Sequence, residues 1–161
     1  MGKARVSGGG IMRGGAAMSV LVLTGGNPLS GTLSINGAKN SVLPILAATL
    51  LADGVSVIDN CPDLSDVRAA IDILTHLGCR VEREGRTIRV DASSMDRFSI
   101  TDELMMKMRS SVIFLGAILA RCGRAELTFP GGCELGPRPI DLHLAAMRQL
   151  GFRTREEGGR I

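Results

Sequence analysis

Apolar positions along the chain shift between a spacing of two and a spacing of three to four, and each shift marks an element. Thr32 to Ile35 alternates and runs into Asn36-Gly37, which predicts a short strand and a turn. Ser41 to Ala52 carries a helical stripe at Val42, Ile45, Leu46, Thr49 and Leu50, with Pro44 in the first turn, where a missing N–H costs little. Val55 to Ile58 is a strand rich in β-branched residues, bounded by Gly54 and Asn60. Asp63 or Ser65 can cap a second helix whose inward stripe is Val67, Ala70, Ile71, Leu74 and Leu77. Gly78 ends that helix in the C′ position. Cys79 to Glu82 and Thr87 to Val90 then form a hairpin around Glu84-Gly85. The pattern is one βαβαββ unit, which places the chain in the α/β class.

That unit recurs. Lys39-Asn40-Ser41-Val42-Leu43 aligns with Arg109-Ser110-Ser111-Val112-Ile113, and Val55-Ser56-Val57 with Ala125-Glu126-Leu127, at a shift of 70 residues. After a three-residue insertion the shift is 73, and Ile71, Leu74, Leu77-Gly78 and Glu84-Gly85 align with Leu144, Met147, Leu150-Gly151 and Glu157-Gly158. Self-similarity at this period implies stacked copies of one supersecondary unit. The first copy covers about 32–92 and the second about 100–161. Ile161 aligns with Ile88, inside a hairpin strand, so the second copy is incomplete and the chain reads as a piece of a longer protein. Residues 1–17 are glycine-rich and aperiodic, a flexible tail, and Met18 is an alternative start.

Composition narrows the function classes. The chain has 161 residues, 45% of them hydrophobic, enough for a real core. A net charge of +3, spread along the sequence, with four Phe and no Trp or Tyr, argues against a nucleic-acid surface. The longest apolar run, Val112 to Ala120, has nine residues and is far short of a membrane span. Met18 to Leu23 leads into Thr24-Gly25-Gly26 rather than a signal-peptide cleavage site. Cys61, Cys79, Cys122 and Cys133 fit no zinc spacing, so they read as reduced thiols of a cytoplasmic protein without metal or cofactor.

Three places could carry chemistry. Gly37-Ala38-Lys39-Asn40-Ser41 opens a helix, where free N–H groups and a cation favour an anion; the plainer reading is a capped turn with a solvated lysine. Arg109 holds the equivalent place in the second copy, after Met105, Met106 and Met108, which read as core. The insertion Pro130-Gly131-Gly132-Cys133-Glu134-Leu135-Gly136-Pro137-Arg138-Pro139 is a shaped loop, and Cys133 there is either a reactive thiol or a small packing residue. Beyond it, Pro139 takes the first position of a helix with Asp141 in its first turn, and His143 lies on a partly exposed face. The other three cysteines sit in or beside apolar elements and read as small packing residues. P-loop, dinucleotide, zinc-protease and nucleophile-elbow motifs do not occur.

The phrases INGAKNSVLPILAATLLADG, MMKMRSSV and above all PGGCELGPRPIDLHL closely resemble the UDP-N-acetylglucosamine enolpyruvyl transferases (1-carboxyvinyltransferases), from about Met18 to Ile161. The sister family making enolpyruvyl-shikimate phosphate lacks this cysteine. The resemblance implies two domains, each an inside-out α/β barrel of three βαβαββ units, with 18–161 holding two units of one domain and a leading strand near Ser19 to Leu33. It implies transfer of the enolpyruvyl group of phosphoenolpyruvate to the sugar 3-hydroxyl with release of phosphate, the first committed step of peptidoglycan synthesis. Lys39 and Asn40 match the pair contacting phosphoenolpyruvate and sugar nucleotide, and Arg109 matches a substrate-binding arginine. Cys133 matches the loop thiol that protonates the methylene carbon, can add covalently to substrate and is the fosfomycin target. Arg138, Pro139, Ile140, Asp141 and Leu142 match the stretch holding the nucleotide and diphosphate. An aromatic common in the family after Arg109 is Ile113 here, and the family's general-base aspartate and a further arginine belong to the missing C-terminal part. The expectation is an enolpyruvyl transferase inactive as this chain alone. The alternatives are a catalytically dead remnant or sugar-nucleotide- or phosphate-binding module, and an interaction protein assembling through an open edge.

Overall fold

The computed structural model describes residues 7–10, 19–22, 26, 28, 30–108, 110–128 and 139–161, in two compact units, Met1–Ile35 and Asn36–Ile161. In the first unit, strand β1 (Ser7–Gly10) pairs antiparallel with β2 (Ser19–Val22), Ser7 opposite Val22. The glycine-rich segment expected as an aperiodic tail thus supplies a strand. A β-ladder bonds through backbone N–H and C=O groups alone, and glycine carries both. The strand expected over Thr32–Ile35 does not form, and residues 30–38 carry neither helix nor strand. An alternating pattern becomes a strand only where a neighbour completes the ladder.

The second unit is built on a three-stranded antiparallel sheet, β3 (Val55–Ile58), β5 (Thr87–Asp91) and β4 (Arg80–Glu84), in that order. Val57 faces Arg89 across one ladder and Glu84 faces Thr87 across the other. Ile88 and Val90 of β5 are fully buried against the helices, whereas Val55, Val57, Glu82 and Arg89 are exposed. One face of the sheet is therefore solvated, as antiparallel sheets allow.

Helix α1 (Lys39–Ala48) buries Val42, Leu43, Leu46 and Ala47, and a 3-10 turn over Thr49–Leu51 adds Leu50. It starts two residues earlier than the sequence pattern suggests, so Pro44 lies in the second turn and the carbonyl of Asn40 gets no intrahelical N–H there. Leu43 takes the core place expected for Ile45, which is half exposed. Helix α2 (Ser65–His76) buries Val67, Ala69, Ala70, Ile73 and Leu74, with Ile71 only half-buried. Leu64, rather than Asp63 or Ser65, occupies its N-cap, and no side chain caps it. Asp63 instead takes a two-pronged bond from Arg68, Nε to Oδ1 at 2.9 Å and Nη2 to Oδ2 at 2.7 Å.

The helix ends and turns of the two aligned stretches share a geometry. The end of α2 is a full Schellman closure: Gly78 N–H reaches the Thr75 carbonyl at 3.1 Å and Cys79 N–H the Leu74 carbonyl at 3.0 Å. Helix α5 (Asp141–Gln149) closes the same way, Gly151 N–H to Arg148 and Phe152 N–H to Met147, both 3.0 Å. Gly78 and Gly151 sit at φ +97° and +93°, and the hairpin glycines Gly85 and Gly158 both at +57°. Glu157 bridges Arg160 as Glu84 bridges Thr87. Residues 98–100 run parallel to Glu126, which is bonded to Phe98 and Ile100 at 3.0 Å, and Leu127 exchanges bonds of 2.9 and 2.7 Å with Ile161 on the other side.

The copies differ between these segments. Where the first has α1 followed by a 3-10 turn, the second has a 3-10 turn over Ser111–Ile113 followed by α4 (Phe114–Cys122), and α3 (Asp102–Lys107) falls where the first has neither helix nor strand. Met105 and Met108 are fully buried, but Met106, expected in the core, is 65% exposed. Phe114 and Ile118 of α4 are fully buried in the same core cluster as Leu46, Leu50, Leu74 and Ile88.

Candidate functional site

The start of α1 is fixed by the loop that follows β3. Asn60 is left-handed at φ 59°, a conformation asparagine tolerates. Its side-chain oxygen accepts from the Arg86 guanidinium, Thr87 donates to Asp59 at 2.8 Å, and Cys61 N–H donates to the Arg86 carbonyl at 2.8 Å. Those bonds tie the loop to the β4–β5 turn. Gly37 packs against it so closely that any Cβ there would run into the Asn60 carbonyl oxygen. A groove of about 120 Å³ lies between, lined by Gly37, Ala38, Ser41, Ile45, Asp59 and Asn60 among others.

Lys39 is the first residue of α1. The Ala38 carbonyl accepts from Ser41 at 3.1 Å and Val42 at 3.0 Å, leaving the first helical N–H groups free of such partners. No acidic residue stands in the first turn of α1. A cation there meets the positive end of the helix dipole, at a cost of about 0.3–1 kcal/mol. Asp66, in the first turn of α2, forms an ion pair with Lys39; their side chains are 49% and 21% exposed. An ion pair of this exposure contributes roughly 0–1 kcal/mol, so an anionic ligand can displace it. Asn40 beside it is exposed.

The rest of this end of the unit is already paired. Arg68 lowers the pKa of the Asp63 carboxyl by hydrogen bonding. Arg83 donates from Nε to the Gly85 carbonyl at 3.1 Å and stands 3.4 Å from Asp63, its Nη1 buried without a hydrogen bond. Two thiols are chemically quiet. Burial raises the Cys61 pKa against the pull of Arg83, and burial with Asp91 pushes Cys79 up to about 11. Cys122, expected with them as a packing residue, is exposed at the end of α4.

At the start of α5, Ile140 is the N-cap and is buried with Leu144, whose N–H it accepts at 3.0 Å. Pro139 therefore precedes the cap rather than opening the helix. Asp141 is the first helical residue and exposed, Leu142 is 77% exposed, and His143 is exposed beside them. Arg109, Cys133 and Arg138, with the whole loop 129–138, lie outside the described residues. The structure thus pairs Lys39 with Asp66 and leaves Asn40 exposed next to Lys39. No hydrogen bond or ion pair among the described residues links them to the start of α5. Asp66 was not legible as a site residue in the sequence, although an acid in the first turn of the helix after a lysine-led helix is the available signal.

No helix among the described residues is long and apolar enough to cross a membrane. Among the same residues, no group of three or more His, Cys, Asp or Glu side chains could hold a metal ion.

The fold defines a class. The solved enolpyruvyl transferase NikO of Streptomyces tendae superposes with a TM-score of 0.70 at 30% identity, over 84% of this chain and 30% of that one. The family model for EPSP synthase (3-phosphoshikimate 1-carboxyvinyltransferase) matches residues 23–160. The chain belongs to the EPSP synthase family of enolpyruvyl transferases, with that family's α/β fold.

Within it, the similarity is to proteins named UDP-N-acetylglucosamine 1-carboxyvinyltransferase. The second such protein of Caldanaerobacter subterraneus is 51% identical over 144 residues, 89% of this chain and 34% of that protein. Those of Chlorobaculum parvum and Desulfosudis oleivorans are 46% and 43% identical, again over 89% of this chain and 34% of each. The chain spans about a third of the length of these relatives.

Proposed function

We propose that the chain is the part of a UDP-N-acetylglucosamine enolpyruvyl transferase that carries the phosphate-binding helix starts and the thiol loop. The reaction is transfer of the enolpyruvyl group of phosphoenolpyruvate to the 3-hydroxyl of the sugar nucleotide with release of phosphate, in the cytoplasm, at the entry to peptidoglycan synthesis. The carrying observation is the 51% identity with a relative of that name across 89% of the chain. Residues 18–161 then form part of one inside-out barrel, the repeats covering about 32–92 and about 100–161 behind a separate segment, 1–17. A sheet with helices on one face and Val55, Val57 and Arg89 solvated on the other supports that arrangement.

In this reading Lys39 and Arg109 clamp the negative charge of phosphoenolpyruvate, where charge stabilisation contributes most. The free N–H groups at the start of α1 add dipoles of the same sign. Asn40 contacts the sugar nucleotide, and Arg138, Pro139, Ile140, Asp141 and Leu142 hold its nucleotide and diphosphate. Cys133 delivers its proton to the methylene carbon, which leaves an oxocarbenium-like centre open to the sugar hydroxyl; closure of the glycine-rich loop keeps water out. The corresponding activity of the relatives belongs to chains about three times as long, so the 161-residue chain alone turns over little or nothing.

A chimera tests this. Residues 18–161 replace the matching segment of the Caldanaerobacter subterraneus relative, and phosphate release is followed with both substrates. Turnover that falls at least about a hundredfold on Cys133→Ala is expected. A folded chimera that binds sugar nucleotide without turnover supports a binding module instead. A chimera whose rate ignores the cysteine removes the loop from the mechanism.

A further inference from the structure

We propose that Asp66 is the positioning residue of the anion site at the start of α1: its carboxylate holds the Lys39 ammonium in the empty protein and releases it to an incoming phosphate. This deepens the functional reading above and rests on it. Three observations carry it. Lys39 stands at the helix end where a cation is least favoured, and α1 supplies no acid in its own first turn. The only ion pair that Lys39 makes among the described residues is with Asp66, from a neighbouring helix. Asp66 in turn sits in the first turn of α2, where an anion is favoured, so the pair spans two helix starts rather than one i,i+4 surface step. A residue that breaks a local rule with its compensation supplied from another element is the pattern expected of a functional site.

Lys39 is half exposed and its pair with Asp66 is screened by water, so exchange for a doubly charged ligand is easy. Without Asp66 the ammonium would be an uncompensated charge free to sample other directions. With it, Lys39 is tied to the start of α2, at the same helix start whose Gly37, Ala38 and Ser41 line the groove together with Asp59 and Asn60. The carboxylate also opposes anions, so removing its charge must tighten them.

The test uses the whole 161-residue chain, titrated with inorganic phosphate at fixed pH and ionic strength and followed by the amide resonances of Lys39, Asn40 and Ser41. Asp66→Asn is expected to tighten phosphate roughly two- to fivefold. Asp66→Glu should restore the wild-type constant, and Lys39→Met should weaken binding at least about tenfold. In the wild type, saturating phosphate should also move the Asp66 carboxylate carbon resonance as the pair opens, which needs no variant to fold. A merely structural tie between α1 and α2 would lower the melting temperature of Asp66→Asn without tightening phosphate. That outcome, or an Asp66 resonance that phosphate leaves unmoved, overturns the proposal while the anion site stands. Binding absent in the wild type, or unaffected by Lys39→Met, overturns the anion site and Asp66 with it.

Discussion

Gly78 and Gly151 occupy the same place in the closures of α2 and α5, and replacing each by alanine separates two costs usually measured together. Both close a helix at positive φ, +97° and +93°. Placing a Cβ in that region costs roughly 1–2 kcal/mol at either position. At Gly151 nothing lies within 4 Å of the added carbon, so the conformational cost is the whole effect. At Gly78 the new Cβ would stand 2.5 Å from Asp96 Oδ1 and 3.0 Å from both the Asp96 nitrogen and the Ser94 carbonyl. The carboxylate can swing away, because Asp96 is exposed, but the two backbone atoms cannot. They are clamped to the helix end by Asp96 N–H and Arg97 N–H on the Leu77 carbonyl, at 3.2 and 3.3 Å, and by Ser94 Oγ on the Gly78 carbonyl at 2.7 Å. Forcing that segment outward adds overpacking of about 1–3 kcal/mol. At roughly 3 °C per kcal/mol for a chain of this size, Gly151→Ala should melt about 3–6 °C below wild type and Gly78→Ala about 6–15 °C below. Thermal unfolding followed by circular dichroism measures both. Equal losses, or a larger loss at Gly151, would refute the packing account of the 92–97 segment.

Three further outcomes follow from which side chains are buried. Phe114 is fully buried in α4, and Phe114→Ala should lose about 3–5 kcal/mol in urea unfolding; a loss below about 1 kcal/mol would mean that α4 does not pack as described. Cys79 binds its proton more tightly folded, with a pKa raised from 9.0 to about 11, than it would unfolded. Its contribution to stability is complete below pH 9.0 and is lost as pH rises toward about 11, so melting temperature should fall across that window. Cys79→Val should flatten the fall. A disulfide reagent at pH 8 should meanwhile modify exposed Cys122 well before Cys79 or Cys61, and a fast Cys79 would contradict its burial.

How much was legible in the sequence depends on whether a signal is local. The Gly78 and Gly85 closures, and their equivalents Gly151 and Gly158, were readable because positive φ demands glycine wherever it occurs. The strand at 55–58 and the hairpin of β4 and β5 were readable because their turn and β-branched runs are contiguous, whereas the pairing of β3 with β5 joins distant residues and was not. Thr32–Ile35 failed because alternation describes a surface and says nothing of a partner strand. The early start of α1 was hidden by Pro44, which suggests a first turn whenever position is judged from proline alone. Met106 differed from Met105 and Met108 only in direction, and composition carries no direction.

The same distinction governs the site. Lys39 could be singled out because a turn followed by a helix is a local pattern, and its charge is wrong for the dipole it faces. Asp66, 27 residues on, could not, because only the packing of α2 against α1 brings the two charges together. The sequence phrase around Cys133 is the most specific feature of the chain, and α4 and α5 are the described helices on either side of it in sequence. A residue that answers to local rules yields to pattern reading, and one that answers to a neighbour across the fold does not. Lys39 and Asp66 are one of each, which makes their pair the place where sequence and structure must be read jointly.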